Sequence, residues 1–227
     1  LLGALEEVDG VEWIRLLYLH PAGVSDRLIN YVSASPKTLD YYDVPLQHIN
    51  NELLTAMNRR VDRNRIETLI RRIRSASDGA VIRTTLIVGL PGETQSRFEE
   101  LRDFVAEQEF DRLGVFCYSA EEGTTAADMP DRVPQEIAVE RMDELMTLQQ
   151  QIAFERNNAL IGQTRDVIID AVDRDGCAVG RTYADCPDVD QEVFIAGSDL
   201  RPGTICPVMI TATRGYDLEG TLLGIEV

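Results

Sequence analysis

The run Arg83-Thr84-Thr85-Leu86-Ile87-Val88-Gly89-Leu90-Pro91-Gly92-Glu93-Thr94 constrains this chain more than any other feature. An apolar, β-rich stretch stops at two glycines and a proline, and Phe98, Leu101 and Val105 then recur at helical spacing. That order spells a buried strand, a tight turn and a helix N-terminus. Ligand sites of parallel α/β sheets and barrels sit at such strand ends. Gly89 and Gly92 carry no Cβ, so backbone can come close to a ligand there. The run is neither a dinucleotide fingerprint nor a P-loop, which needs a Lys. A plain βα turn with Thr94 as helix cap accounts for the same residues equally well.

The flanking sequence repeats the alternation. Strands are expected over 11–20, 41–46, 81–88 and 111–119. Helices are expected over 25–34 with Ser25 as N-cap, from Asn50 or Asn51 through Met57, over about 62–76, after Thr94, and over about 134–158. Strands alternating with helices predict βα units and a parallel sheet, and four strands make half of an eight-stranded barrel. Near Ile161-Gly162 the character changes. Short β-rich runs over 164–172, 177–183, 191–196, 206–213 and 218–226 predict a small five-stranded antiparallel barrel. The expected division is 1–160 and 161–227, an α/β domain followed by an all-β one.

The net charge is −17, and of 22 basic residues only Lys37 is lysine. Such a field opposes a polyanion and favours a basic partner, though solubility alone explains it as well. No apolar run approaches the roughly 20 residues of a membrane span. The start, Leu-Leu-Gly-Ala-Leu-Glu-Glu, lacks a signal-peptide pattern and an initiator Met; it reads as the middle of a helix, with residues expected upstream. Cys117, Cys177, Cys186 and Cys206 are widely spaced and read as reduced thiols of a cytoplasmic protein, not metal ligands.

Three further segments carry candidate chemistry. Gln47-His48 follows the second strand, where a polar pair can hold a ribose or substrate group; a histidine satisfied by local backbone is the plainer alternative. Tyr118-Ser119-Ala120-Glu121-Glu122-Gly123-Thr124 lies at another strand end, and its two carboxylates suit a cation, a basic peptide or simply solvent. Met57-Asn58-Arg59-Arg60 sits where a helix ends, with guanidiniums able to clamp a carboxylate or phosphate, or merely to complement the helix dipole.

Taken jointly these strand ends resemble the radical SAM methylthiotransferases. The runs that carry the resemblance are Trp13 to Pro21, Asp43-Val44-Pro45-Leu46-Gln47-His48, Met57 to Arg60, Arg83 to Thr94 and Tyr118 to Thr124. Gly180-Arg181-Thr182, Asp185, Pro187 and Val189-Asp190 are similar to the TRAM domain that closes these enzymes. The resemblance implies the C-terminal part of a radical SAM partial (β/α) barrel followed by a five-stranded TRAM barrel. It implies S-adenosylmethionine neighbouring Gln47, His48, Thr85, Gly89, Pro91, Gly92, Glu93 and Tyr118. Substrate contacts are expected at Arg59, Arg60, Glu121, Glu122, Asp185, Asp188 and Asp190.

Leu46-Gln47-His48 and Glu121-Glu122-Gly123-Thr124 point within the family to the branch that modifies an aspartate on ribosomal small-subunit protein S-twelve. The tRNA-modifying branch would be expected to show Gln-Ser-Gly at residues 47–49. From Gln163 on, twelve acids stand against five arginines, which suits a basic protein better than RNA. The implied chemistry uses two four-iron four-sulfur clusters and an electron-donor protein. A deoxyadenosyl radical abstracts hydrogen from the aspartate β-carbon, and a methylated sulfur is then attached. The Cys-x-x-x-Cys-x-x-Cys triad is absent from these 227 residues, so the chain by itself is expected to be inactive. The alternatives are a tRNA methylthiotransferase, which the arginines at 59–74 favour, and a non-catalytic ribosome-docking module.

Overall fold

The computed structural model describes residues 1–121, 129–174, 176–196 and 200–223. The chain divides into two compact units, Leu1–Gln149 and Gln150–Val227. The first unit holds α1 (Leu2–Glu6), β1 (Ile14–Leu16), a 3-10 turn at Pro21–Gly23, α2 (Asp26–Ala34), β2 (Thr38–Asp43), α3 (Asn51–Ala56) and α4 (Arg63–Ala76). It continues through β3 (Val81–Val88), α5 (Gln95–Gln108), β4 (Arg112–Cys117) and the first part of α6 (Gln135–Leu160). The strands lie side by side in the order β1-β2-β3-β4, all parallel.

Local chemistry explains the element starts. Ser25 Oγ accepts the Leu28 amide, Asn50 Oδ1 accepts those of Glu52 and Leu53, Asp62 Oδ1 that of Arg65, and Thr94 Oγ1 that of Arg97. The second strand begins and ends three residues earlier than expected. Ser35 Oγ accepts the Lys37 and Thr38 amides and launches the strand at Thr38, whereas Pro45 has no amide to continue pairing. The first strand is only three residues long, because Tyr18 turns out of the ladder at φ 57°.

Side-chain alternation along β3 divides the sheet into two faces. Thr84, Leu86 and Val88 are buried, as are Ile66, Ile70 and Ile73 of α4 and Phe98, Leu101 and Val105 of α5. Arg83, Thr85 and Ile87 point to the other, half-buried face. Register puts Asp43 of β2 and Arg112 of β4 beside Arg83, and Gly114 beside Thr85. That face is therefore polar.

The second unit contains the rest of α6 and a closed barrel, strand order β5-β6-β7-β9-β8. Its strands are β5 (Thr164–Val172), β6 (Ala178–Thr182), β7 (Val193–Ile195), β8 (Ile205–Arg214) and β9 (Asp217–Leu222). The pairs are antiparallel except β7 with β9. The expected fifth strand, 218–226, runs in part outside the described residues. Val167, Ile169, Val193, Ile195, Val208, Ile210 and Leu218 fill the interior. A barrel this small brings strands close. A Cβ on Gly180 would lie 2.3 Å from the Ile168 carbonyl oxygen and 2.8 Å from Val167 Cγ1. Gly180→Ala is expected to destabilise the barrel by about 1–3 kcal/mol, read as a lower denaturant midpoint; an unchanged midpoint would show that the strands can separate without cost.

Candidate functional site

The site is built at the carboxyl ends of β2, β3 and β4, where parallel sheets place their ligands. Backbone pairing continues past the strands. The Gln47 amide donates to Thr85 O and the Ile87 amide to Gln47 O, each at 2.8 Å, and Tyr118 N donates to Val88 O at 2.8 Å. Thr84 Oγ1 links Val44 O and the Leu46 amide. Gln47, Thr85, Gly89 and Tyr118 are thus drawn together by a shared ladder. Gln47 sits at φ 73°, an uncommon conformation for a residue with a Cβ.

Below that rim, Asp43 is buried. Its Oδ1 lies 3.1 Å from Arg83 Nη1 and its Oδ2 accepts the Tyr18 amide at 2.9 Å. The Arg15 guanidinium stacks over Tyr41 at 4.2 Å. These groups equip the half-buried face with fixed charge that sequence periodicity alone did not single out.

Glu93 has a structural role that the sequence did not show. It is 3% exposed and turned inward. Its Oε2 accepts the Gly89 amide at 2.5 Å and the Leu90 amide at 3.0 Å. Its Oε1 lies 3.3 Å from Arg141 Nη1, within ion-pair reach but off hydrogen-bond alignment. Arg141 Nη1 also donates to Glu93 O at 3.0 Å, and its guanidinium covers Phe98 at 5.2 Å. Burial raises the carboxyl above its ordinary value, and Arg141 with the two amides pulls it back. Glu93 therefore shapes the turn. Arg141 was not singled out from sequence; its signal is a cation on the buried stripe of α6, between Ala138 and Leu145.

Gly89 also serves a second purpose. It adopts φ +78°, and a Cβ there would fall 2.5 Å from Ala138 Cβ. The missing side chain admits α6, apart from any approach to a ligand. Gly92 needs its φ of +80°, but a Cβ there would meet only ordinary contacts. Pro91 is buried beside them.

His48 is fully buried. Its Nδ1 accepts the Asn50 amide at 3.0 Å, so Nε2 carries the proton and has no partner among the described residues. Burial pushes its pKa down to about 4, with Arg97 and Arg141 adding to the shift and Glu100 opposing it. Arg59 donates to Pro45 O, tying the end of α3 to the strand exit, and burial lowers its pKa. Arg60 is exposed. Tyr118 Oη is buried without a hydrogen-bond partner among the described residues. Glu121 is exposed, and Glu122 lies outside the described residues. In the barrel unit, Asp185 is fully buried and accepts from Thr182 Oγ1 at 2.6 Å, so its carboxylate braces the loop and is not offered at the surface. Asp190 accepts the Cys186 amide, and Asp188 is exposed at φ 62°.

No group of three metal-ligating side chains exists among the described residues, so these residues do not fit an iron–sulfur cluster. They do fit part of an S-adenosylmethionine wall: a Gly-Leu-Pro-Gly turn at a sheet's carboxyl end, a polar rim, and a Tyr118 hydroxyl with no partner among the described residues.

A parallel half-barrel with this turn, followed by a closed five-strand barrel, defines a radical SAM fold joined to a TRAM domain. The radical SAM superfamily profile matches residues 3–105 and the TRAM domain profile residues 161–223. The ribosomal protein uS12 methylthiotransferase RimO of Trichlorobacter lovleyi is 43% identical over 225 residues, 98% of this chain and 50% of that protein. The RimO of Aquifex aeolicus is 44% identical over 223 residues, 97% and 52% respectively. The fold also resembles the Escherichia coli coproporphyrinogen III oxidase HemN, a radical SAM enzyme (TM-score 0.53, 17% identity, covering 75% of this chain and 44% of that one). The chain belongs to the radical SAM methylthiotransferase family, whose chemistry uses S-adenosylmethionine and iron–sulfur clusters. It spans about half the length of the curated relatives it matches.

Two outcomes follow from the geometry. Arg141→Met should cost about 3–5 kcal/mol at neutral pH by stranding the buried Glu93 charge. The loss should shrink in acid, where Glu93 protonates, and in a Glu93→Gln background. Denaturant titrations of the double-mutant cycle read both; additive effects would refute the pairing. His48 has a depressed folded-state pKa, so its contribution to stability is present above about 6.5 and lost as pH falls toward about 4, on the order of 3 kcal/mol in all. His48→Gln should flatten the stability profile across that window, and an unchanged profile would place the titration elsewhere.

Proposed function

We propose that the protein carrying this chain attaches a methylthio group to the β-carbon of an aspartate on ribosomal protein uS12. The observation that carries this reading is the extent of the similarity. Identity of 43% to proteins named ribosomal protein uS12 methylthiotransferase runs through 98% of the chain, covering strand ends and barrel alike. A match confined to the cofactor half would support only the chemistry.

In this reading the chain contributes a wall and a docking surface. Gln47, Thr85 and Tyr118 would line S-adenosylmethionine, with Gly89, Pro91 and Gly92 forming the turn against it. When bound, that cofactor supplies the radical that opens the substrate C–H bond and the methyl group. The residues here bind, orient and exclude water. Glu93 and Arg141 hold the turn's amides in place, Asp43 and Arg83 fix the polar face, and neutral His48 supports the entry to α3. Arg59 braces Pro45.

Recognition of a basic protein falls to the barrel. From Gln163 on, acids outnumber arginines twelve to five. Asp188, Glu192 and Glu219 are exposed, and Val189 at 60% exposure offers an apolar contact among them. Complementary charge of this kind steers encounter and selects the partner. A cytoplasmic location and a separate electron-donor protein belong to the same proposal; among the described residues no helix is long and apolar enough to cross a membrane.

The test is product analysis. The cluster-loaded protein carrying this chain, given S-adenosylmethionine, a sulfur source and a reductant, should add one methylthio group to a single aspartate of uS12, seen by peptide mass spectrometry. The 227 residues alone, lacking the cysteine triad, should yield none. Modification of a tRNA adenosine instead would overturn the substrate assignment.

A further inference from the structure

We propose that the arginine-rich face of α4 binds the phosphodiester backbone of RNA. This goes beyond the reaction proposed above and does not depend on it.

The charge is concentrated. Residues 59–74 hold seven arginines against Asp62 and Glu67, in a chain of net charge −17. Several are committed internally. Arg63 pairs with Glu67 and Glu100, Arg59 donates to Pro45 O, and Arg74 donates to Gln108 O. Arg60, Arg65 and Arg71 are exposed and have no ion-pair partner among the described residues. Such a surplus is a standing electrostatic cost in the free protein, offset when an anion arrives.

The face also has a cavity, of about 280 Å³. Asn64, Arg65, Thr68 and Arg72 of α4 supply its polar lining, and Pro21 and Val24 close the opposite side. Positions 65, 68 and 72 fall at i, i+3 and i+7, one stripe of a helix. Arg72 Nη2 pairs with Asp26, while its Nε is buried without a hydrogen-bond partner among the described residues. A polar cavity lined by two arginines suits an anionic acceptor. Asn64 and Thr68 can add neutral donors. Arg60 and Arg71 adjoin the lining residues Val61 and Arg72 in sequence, which extends positive charge beyond the cavity.

The chemistry favours a phosphodiester chain over other anions. Guanidinium forks match phosphate bidentately, and a run of them suits a repeating charge. A membrane surface would call for apolar wedges, yet none of the large exposed hydrophobics lies between 59 and 76. The net negative charge does not forbid the contact. At about 0.15 M salt the screening length is about 8 Å, so nearby arginines outweigh distant carboxylates.

The experiment is fluorescence anisotropy of the full 227-residue chain with a labelled single-stranded oligouridylate across a salt series. Three to four phosphate contacts predict a slope of about −2 to −3 in log affinity against log salt. The variant R60Q/R65Q/R71Q should lose about 2 units of slope and bind at least tenfold more weakly near 0.1 M salt, where the screening length is about 10 Å. Its melting temperature should match that of the parent. A control variant, R165Q/R174Q/R201Q in the barrel unit, should bind as the parent does. The proposal fails if no salt-sensitive binding is seen, or if the barrel variant weakens binding equally. It also fails if polyglutamate competes as well as RNA at equal charge, or if inorganic phosphate does so at equal phosphate concentration. None of these outcomes bears on uS12 product formation, so the two proposals fall separately.

Discussion

The buried carboxylate of Glu93 is the constraint on which the strand-end architecture turns. An ionised carboxylate removed from water costs several kcal/mol unless it is paired and hydrogen-bonded. Here two amides of the turn and one guanidinium meet that demand. The turn's conformation and the burial of its glutamate are therefore one fact, not two. Both lean on Arg141, which stands 48 residues later in the chain. Ala138 and Arg141 are three positions apart on α6 and face the same way. One packs against the space left by Gly89; the other pairs with Glu93. A single helix face thus reads both ends of the Gly-Leu-Pro-Gly-Glu turn, and the turn in turn fixes where α6 begins its contact with the sheet.

The same reasoning explains the second face of the sheet. Alternation along β3 sends Thr84, Leu86 and Val88 into the helical layer and leaves Arg83, Thr85 and Ile87 on the other side. A sheet with one apolar and one polar face is stable only where the polar groups are satisfied. Asp43 does this with Arg83 within the strands themselves, while the Arg15 guanidinium lies over the Tyr41 ring. The rim above them is less complete, since Tyr118 Oη is buried with no hydrogen-bond partner among the described residues.

Much of the architecture was legible because it is set locally. Ser25, Asn50 and Thr94 cap helices as their residue types predict, and the switch from helical to two-residue period near Ile161 marks the change from the α/β to the all-β pattern. The family could be read because several short motifs occur in one order, though each alone is weak. What escaped the sequence is what depends on distant partners. The pairing of Glu93 with Arg141 is one such case. The packing of Ala138 against Gly89 is another. Asp185 reads as one more surface acid in an acidic segment, although Thr182 three residues earlier gives it a local partner and a reason to be buried. The second strand lies upstream of its expected place because the missing amide of Pro45 outweighs the apolar character of the residues around it.

Net charge is a poor guide to partners for a related reason. It describes the field far from the molecule, whereas recognition at physiological salt is decided within about 8 Å. The barrel segment is acidic by twelve to five, and the stretch 59–74 is basic by seven to two. Both lie in one chain whose sum is −17. A sum of that size predicts solubility and opposes indiscriminate binding to polyanions. It does not predict which local surface meets which partner. A basic protein and an RNA backbone need not compete for one site when the chain carries separate surfaces of opposite sign.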